Sequence, residues 1–184
     1  MTRLTPTPSQ TLGPFFAHGL LRPNDGNLAG PDAMGERIVL RGILRDHEGA
    51  GVRDALIELW QADAKGRYPG RDADADPAVN GFGRTMTGAD GSFEFATVMP
   101  GAAAGTGNKR QAPHFLIGVF AAGLSRRVTT RIYAPDAGAL ADDEVFGELP
   151  PATRERIVAK ASGAGRLEFE INLGGARATP AFSD

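Results

Sequence analysis

The sequence predicts an all-β protein, an antiparallel β-sandwich with an extended N-terminal arm and one short C-terminal helix. Two observations favour this class. Several short segments alternate apolar and polar residues with the two-residue period of a strand. The 25 glycines and 13 prolines among the 184 residues supply turns between those segments. We divide the chain into an arm over residues 1–35 and a sandwich domain over residues 36–184.

The arm is rich in proline and has little hydrophobic periodicity, which is typical of extended chain. It carries two adjacent aromatic residues, Phe15 and Phe16, whose exposure to water would be unfavourable. These rings pack either on the chain's own domain or against another subunit. Sequence alone leaves the two arrangements open.

The strands of the domain are organised around one central segment. Residues 55–62 form an apolar run that contains Trp60 and Glu58, so we expect burial on both faces, with a partner for Glu58. The run breaks at Asp63, and a turn then delivers Tyr68 to a fixed position. Further strands are predicted at residues 38–45, 92–98, 114–121, 127–133 and 167–173.

Two other segments complete the prediction. The residues from Pro150 to Ser162 read as a helix whose apolar stripe includes Ile157. Residues 69–81 alternate aspartates but lack the glycine and glutamate positions of a calcium-binding EF-hand loop, so we interpret them as a solvated surface loop.

The composition excludes several classes of function. The net charge of −2 argues against a nucleic-acid partner. The absence of cysteine excludes disulfides, thiolate nucleophiles and cysteine-ligated metals. No apolar run reaches the length of a membrane span, and the N-terminus has no apolar region of the signal-peptide kind. We therefore expect a cytoplasmic protein with no membrane partner.

Metal chemistry is the strongest catalytic candidate, because the sequence has neither a nucleophilic serine motif nor a phosphate-binding loop. Tyrosinate and imidazole suit a hard, high-valent iron. Tyr68 and His114 could face each other, but two ligands are too few for a site. A histidine at the start of a strand is more often a hydrogen-bonded structural residue. The remaining imidazoles and phenol are His18, His47 and Tyr133.

Six short motifs, in order along nearly the whole chain, carry a resemblance to a known family. They are SQTLGP at 9–14, LWQAD at 59–63, GRY at 66–68, GFGR at 81–84, TVMPG at 97–101 and APH at 112–114. With them the chain resembles the intradiol ring-cleavage dioxygenases, and among these the α subunits of heteromeric members that cleave protocatechuate.

The resemblance implies that this chain holds no catalytic iron. The family's catalytic subunits bind Fe(III) through two tyrosines and two histidines. By resemblance one tyrosine falls on Tyr68 and one histidine on His114, while the other two ligand positions fall on Ala103 and Leu116, which cannot coordinate. A substrate-side arginine falls near Gln111. Tyr68 and His114 are then vestigial positions, and Fe(III) is expected in the partner β subunit.

The resemblance also implies which residues serve that partner. Thr11, Gly13 and Pro14 of the arm, together with Arg131, are expected to contribute to the active site of the β subunit, with the arm packed on that subunit. A rigid Gly-Pro segment can approach a planar aromatic acid closely, and an arginine can pair with its carboxylate. Without the resemblance, Arg131 reads as a solvated residue on the outer face of a strand.

The implied activity of the complex is the cleavage of protocatechuate by O₂ to 3-carboxy-cis,cis-muconate. Two alternatives remain open at this point. One is a prealbumin-like β-sandwich binding module, since turn-and-strand motifs such as GADGSFEF at 88–95 are shared with such modules. The other is a self-sufficient homo-oligomeric enzyme with further ligands such as Tyr133 or His18.

Overall fold

The structure, a computed structural model, describes residues 11–13 and 16–182. The predictions for residues 1–10, Pro14 and Phe15 lie outside the described residues. The strands are β1 Arg37–Arg45, β2 Leu56–Gln61, β3 Phe82–Met86, β4 Ser92–Val98, β5 Ala103–Ala104, β6 Arg110–Gln111, β7 His114–Phe120, β8 Val128–Tyr133, β9 Lys160–Gly163 and β10 Arg166–Asn172. The helices are α1 Phe16–Leu20, α2 Ala137–Asp142, α3 Glu144–Glu148 and α4 Pro151–Arg154, the last followed by a 3₁₀ turn at Glu155–Ile157.

Two four-stranded sheets enclose the core, as the sequence predicts for a sandwich. One sheet has the order β4-β1-β10-β9 and the other the order β3-β2-β7-β8. A single hydrophobic cluster joins side chains from both, including Leu40 and Phe95 from the first sheet and Leu59 and Ile117 from the second. Alternating apolar residues produce this core because every second side chain of a strand points to the same face. The predicted all-β fold is confirmed.

One strand pair departs from the antiparallel pattern. β1 and β10 run parallel, with Val39 opposite Arg166 and Arg45 opposite Asn172, whereas the other paired strands in the described residues are antiparallel. A parallel pair needs a long crossover. Here the chain passes through the whole second sheet and the helical segment before it returns beside β1.

The C-terminal helix is shorter than predicted. Helix α4 ends at Arg154, and residues 160–163 form β9, which pairs with β10. Ile157 and Ala159 are both buried, and this spacing of two fits extended chain better than a helical stripe. Three further short helices were not predicted. Helix α1 lies in the segment predicted to be extended arm, so that prediction is wrong at Phe16–Leu20, and helices α2 and α3 are each capped by the side chain of an aspartate.

The central strand β2 is buried on its inner face and only partly buried on its outer face. Ile57 and Leu59 are fully buried in the core, and Glu58 on the outer face is 8% exposed. Trp60, however, is 40% exposed, so the prediction of burial on both faces is wrong at this residue. Within the described residues, the outer face of the sheet β3-β2-β7-β8 is therefore only partly covered at Trp60.

Part of the predicted arm belongs to the body of the sandwich. Asn27 bridges to Ala96 and Ala29 bridges to Val79, and Leu28 between them is only 1% exposed. Residues 27–29 thus pair with the domain, and the division of the chain at residue 35 stays a prediction. Packing of the arm on a partner stays a prediction.

None of the helices in the two described segments is long and apolar enough to cross a membrane.

Candidate functional site

A turn built around one buried carboxylate positions Tyr68. Asp63 follows β2 and is 1% exposed. One of its oxygens accepts the backbone N–H groups of Lys65 at 2.8 Å and Arg67 at 3.0 Å, and the other accepts that of Asp76 at 2.9 Å. Three backbone donors on one side chain fix the path of the chain into Tyr68.

The loop after Tyr68 is less solvated than predicted. Asp72 accepts the backbone N–H of Tyr68 at 2.7 Å, and Asp76, 6% exposed, accepts those of Met34 at 2.8 Å and Ala78 at 2.9 Å. These hydrogen bonds lower the pKa of the Asp76 carboxyl from its usual value. The alternating aspartates therefore hold backbone, and the interpretation of this loop as solvated was wrong at Asp76.

Tyr68 and His114 lie together, as the sequence suggested. The Tyr68 hydroxyl is 3.3 Å from His114 Nε2, and His114 Nδ1 is 2.7 Å from the carbonyl oxygen of Ala112. Because a carbonyl only accepts, Nδ1 carries the proton, and the Tyr68 hydroxyl donates to Nε2. Burial, with Arg131 as a second cause, lowers the pKa of His114 to about 4, and burial raises the pKa of Tyr68. At neutral pH the pair is a phenol and a neutral imidazole.

The other two positions of the implied ligand set offer no donor. Ala103 is 1% exposed and packs beside Ala62 and Tyr68, and Leu116 is a half-buried hydrocarbon side chain. Across residues 11–13 and 16–182, no group of three or more His, Cys, Asp or Glu side chains could hold a metal ion. One phenol and one imidazole do not fit the Fe(III) centre of the family.

Arg131 neighbours this degenerate site. It lies on the edge strand β8, directly opposite Leu116 across the ladder, as Tyr133 lies opposite His114. Arg131 lines a surface groove of about 520 Å³ together with the apolar Trp60 and Leu116 and the charged Glu58 and Arg127. The structure thus brings Tyr68, His114 and Arg131 to one end of the sheet.

A buried polar network behind Arg131 was missed by the sequence reasoning. Asp143, 2% exposed, accepts the Tyr133 hydroxyl at 3.1 Å and the backbone N–H groups of Phe146 at 2.9 Å and Ala112 at 2.7 Å. The Tyr133 hydroxyl in turn accepts a hydrogen bond from Arg131 Nη1 at 3.4 Å. The sequence signal for Asp143 is weak, because an aspartate before a short helix looks like an ordinary surface N-cap.

Glu58 finds the partners that its burial requires. Its carboxylate contacts Arg84 Nη2 at 2.9 Å and Arg127 Nη1 at 3.5 Å on the outer face of the same sheet.

Gln111, at the position implied for a substrate-side arginine, is half-buried, and its amide nitrogen donates to the carbonyl of Ala104 at 3.3 Å. The amide of Gln111 is uncharged, so it offers no ion pair to the carboxylate of a substrate.

The described arm residues Thr11 and Phe16 pack near Phe120 and Gly123, away from Tyr68 and His114. The Thr11 hydroxyl accepts the backbone N–H of Gly123 at 2.8 Å, and the ring of Phe16 is 5.4 Å from that of Phe120. Phe120 ends β7 at the opposite end from His114. Gly13 is exposed, and no atom of the described residues lies within 4 Å of a Cβ added there. Thr11 and Gly13 are therefore not gathered around Tyr68 in this chain, and their predicted role in a partner's site is untested.

Comparison with known proteins identifies the family. A family model described as dioxygenase matches residues 12–166. The protocatechuate 3,4-dioxygenase alpha chain of Pseudomonas putida is 39% identical over 97% of this chain and 96% of its own length. The chain belongs to the intradiol dioxygenase family.

Other relatives include a separately named beta chain and a solved dioxygenase domain with a similar fold. The protocatechuate 3,4-dioxygenase beta chain of Burkholderia cepacia is 38% identical over 81% of this chain and 69% of its own length. The dioxygenase domain of a dioxygenase carbohydrate-binding protein fusion from Streptomyces sp. SirexAA-E has a TM-score of 0.63 at 26% identity, and the match covers 94% of this chain and all of that one. The resemblance inferred from the sequence motifs is confirmed.

Proposed function

We propose that this chain is the non-iron α subunit of a heteromeric protocatechuate 3,4-dioxygenase. The iron-bearing β subunit is its partner, and the complex cleaves protocatechuate with O₂ to 3-carboxy-cis,cis-muconate. Intradiol dioxygenases use Fe(III), and the relatives include separately named alpha and beta chains. The expected location of the complex is the cytoplasm.

One observation carries the proposal. A chain that matches an alpha chain along nearly its full length has only Tyr68 and His114 where the family's iron ligands fall. Ala103 and Leu116 occupy the other two positions, and both are apolar. The neutral phenol–imidazole pair has the packing and hydrogen bonding of a structural contact. A subunit of this kind needs a partner that supplies the metal.

The contribution of this chain to the shared site is proposed to come from two places. Arg131 lines the groove, and its guanidinium is proposed to pair there with the carboxylate of protocatechuate. Thr11, Gly13 and Pro14 of the arm are proposed to border the substrate from another side. Trp60, exposed on the same sheet face as Arg131, suits an interface with the β subunit, because tryptophan is enriched at such surfaces.

Reconstitution tests the proposed function. The chain is purified alone, its cognate β chain is purified alone, and protocatechuate turnover is followed for each and for the mixture. We expect no turnover from this chain, and full turnover with a stable complex in size-exclusion chromatography from the mixture. Equal turnover from the β chain with and without this chain, and no complex, would contradict the proposal.

A further inference from the structure

The proposed role of Arg131 raises the question of what orients its side chain. Arg131 is half-buried on an edge strand, and the side chain that carries its guanidinium is long and flexible. An arginine that is held in place before substrate arrives loses less side-chain freedom on binding. A group that fixes the guanidinium without neutralising its charge would therefore strengthen its contact with a carboxylate.

Tyr133 has the geometry of such a group. It lies two residues after Arg131, on the same face of β8, and its hydroxyl accepts a hydrogen bond from Arg131 Nη1 at 3.4 Å. Tyr133 is fully buried, and its ring packs at 5.7 Å from the ring of His114 and at 5.3 Å from that of Phe146. The hydroxyl is thus a fixed point in the molecule.

Asp143 fixes the direction of that hydroxyl. Its Oδ1 lies 3.1 Å from the Tyr133 hydroxyl, and two backbone N–H groups, of Ala112 and Phe146, hold the carboxylate in place. Burial raises the pKa of Tyr133 to about 12, so the phenol keeps its proton. The proton points to Asp143, and an oxygen lone pair is left for Arg131.

The phenol also keeps the two charges apart. Within residues 11–13 and 16–182, no carboxylate lies within ion-pair distance of Arg131, and its hydrogen bond is to the neutral Tyr133. Direct contact with Asp143 would orient the guanidinium but would also neutralise it. With the phenol interposed, the charge remains available to a ligand in the groove.

We propose that Tyr133, held by Asp143, is a positioning residue that orients Arg131 toward the carboxylate of the aromatic acid bound in the partner's site. The proposal rests on the proposed function, because it assigns to Arg131 a substrate in the shared site. Tyr133 and Asp143 act through Arg131 and do not touch the substrate.

The test is a double-mutant cycle in the assembled complex. Tyr133→Phe keeps the ring packing and removes the hydroxyl, and we expect it to raise the KM for protocatechuate about 3- to 10-fold, with kcat within about twofold and the KM for O₂ unchanged. In the Arg131→Ala background the same change is expected to have no further effect on KM. Asp143→Asn provides a second variant, with a smaller increase in KM that Arg131→Ala also abolishes.

Tyr68→Phe is the matched control, because it removes a buried phenol hydroxyl that bonds His114 and makes no hydrogen bond to Arg131. We expect it to leave the KM for protocatechuate unchanged. If Arg131→Ala raises KM but Tyr133→Phe does not, or if Tyr133→Phe raises KM equally in the Arg131→Ala background, the positioning role is overturned while the proposed function stands. If Arg131→Ala itself leaves KM unchanged, the share of Arg131 in the site is overturned, and this inference with it.

Discussion

Replacing Arg131 with alanine in the assembled complex is expected to raise the KM for protocatechuate roughly 10- to 100-fold. A hydrogen bond between charged groups contributes about 1.5–3 kcal/mol, and about 1.4 kcal/mol corresponds to a factor of ten in affinity. Arg131 and Arg127 both line the groove; Arg127 contacts Glu58, whereas Arg131 lies opposite Leu116 beside the degenerate ligand positions and is not ion-paired within the described residues. Steady-state kinetics with protocatechuate as the varied substrate measures the effect.

Arg177→Ala is the matched control for the loss of a guanidinium. Arg177 is 82% exposed in its side chain and lies 3.8 Å from Glu170, on the other sheet of the sandwich. We expect this variant to have the kinetics of the wild-type complex. Arg131→Ala with an unchanged KM in an intact complex would remove Arg131 from the substrate site.

Replacing Asp63 with alanine is expected to lower the free energy of unfolding by about 3 kcal/mol or more. The side chain accepts the backbone N–H groups of Lys65, Arg67 and Asp76 in a site that is 1% exposed. A buried donor left without an acceptor costs about 1–3 kcal/mol, and alanine leaves the buried donor of Asp76 and the part-buried hydrogen bonds of Lys65 and Arg67 without their acceptor. Urea denaturation of the purified protein measures the change.

A neighbouring aspartate provides the comparison for Asp63. Asp74 is 70% exposed in its side chain and forms one ion pair, with Arg67 at 3.1 Å. Exposed pairs contribute about 0–1 kcal/mol, so Asp74→Ala should change the free energy of unfolding by less than about 1 kcal/mol. Equal stabilities of the Asp63→Ala and Asp74→Ala proteins would contradict the role of Asp63 as the anchor of the turn.

The strands were predictable because their signal is local. Phe93 and Phe95 face the core while Glu94 faces out, and the printed sequence shows that alternation directly. The segment from Ile157 to Ser162 was misjudged because the prolines at 150–151 favour the start of a helix, whereas burial of Ile157 and Ala159 and pairing with β10 depend on distant residues.

The candidate site was predictable only where its residues lie next to strands that the sequence predicts. Tyr68 and His114 could be paired from sequence because each adjoins a buried strand of one sheet. Asp143 is separated from Ala112 by 31 positions, and no local pattern connects the two. The exposure of Trp60 also escaped prediction, because an apolar run gives no sign of which face another element covers.

The iron content of this chain, purified alone from iron-supplemented cells, tests the central claim most directly. The measurement is the ratio of iron to protein, together with visible absorbance and protocatechuate turnover. The account predicts a colourless protein with far less than one iron per chain, which supports turnover only with the β chain. A wine-red protein with about one iron per chain and turnover of its own would contradict it, and would make this chain the catalyst.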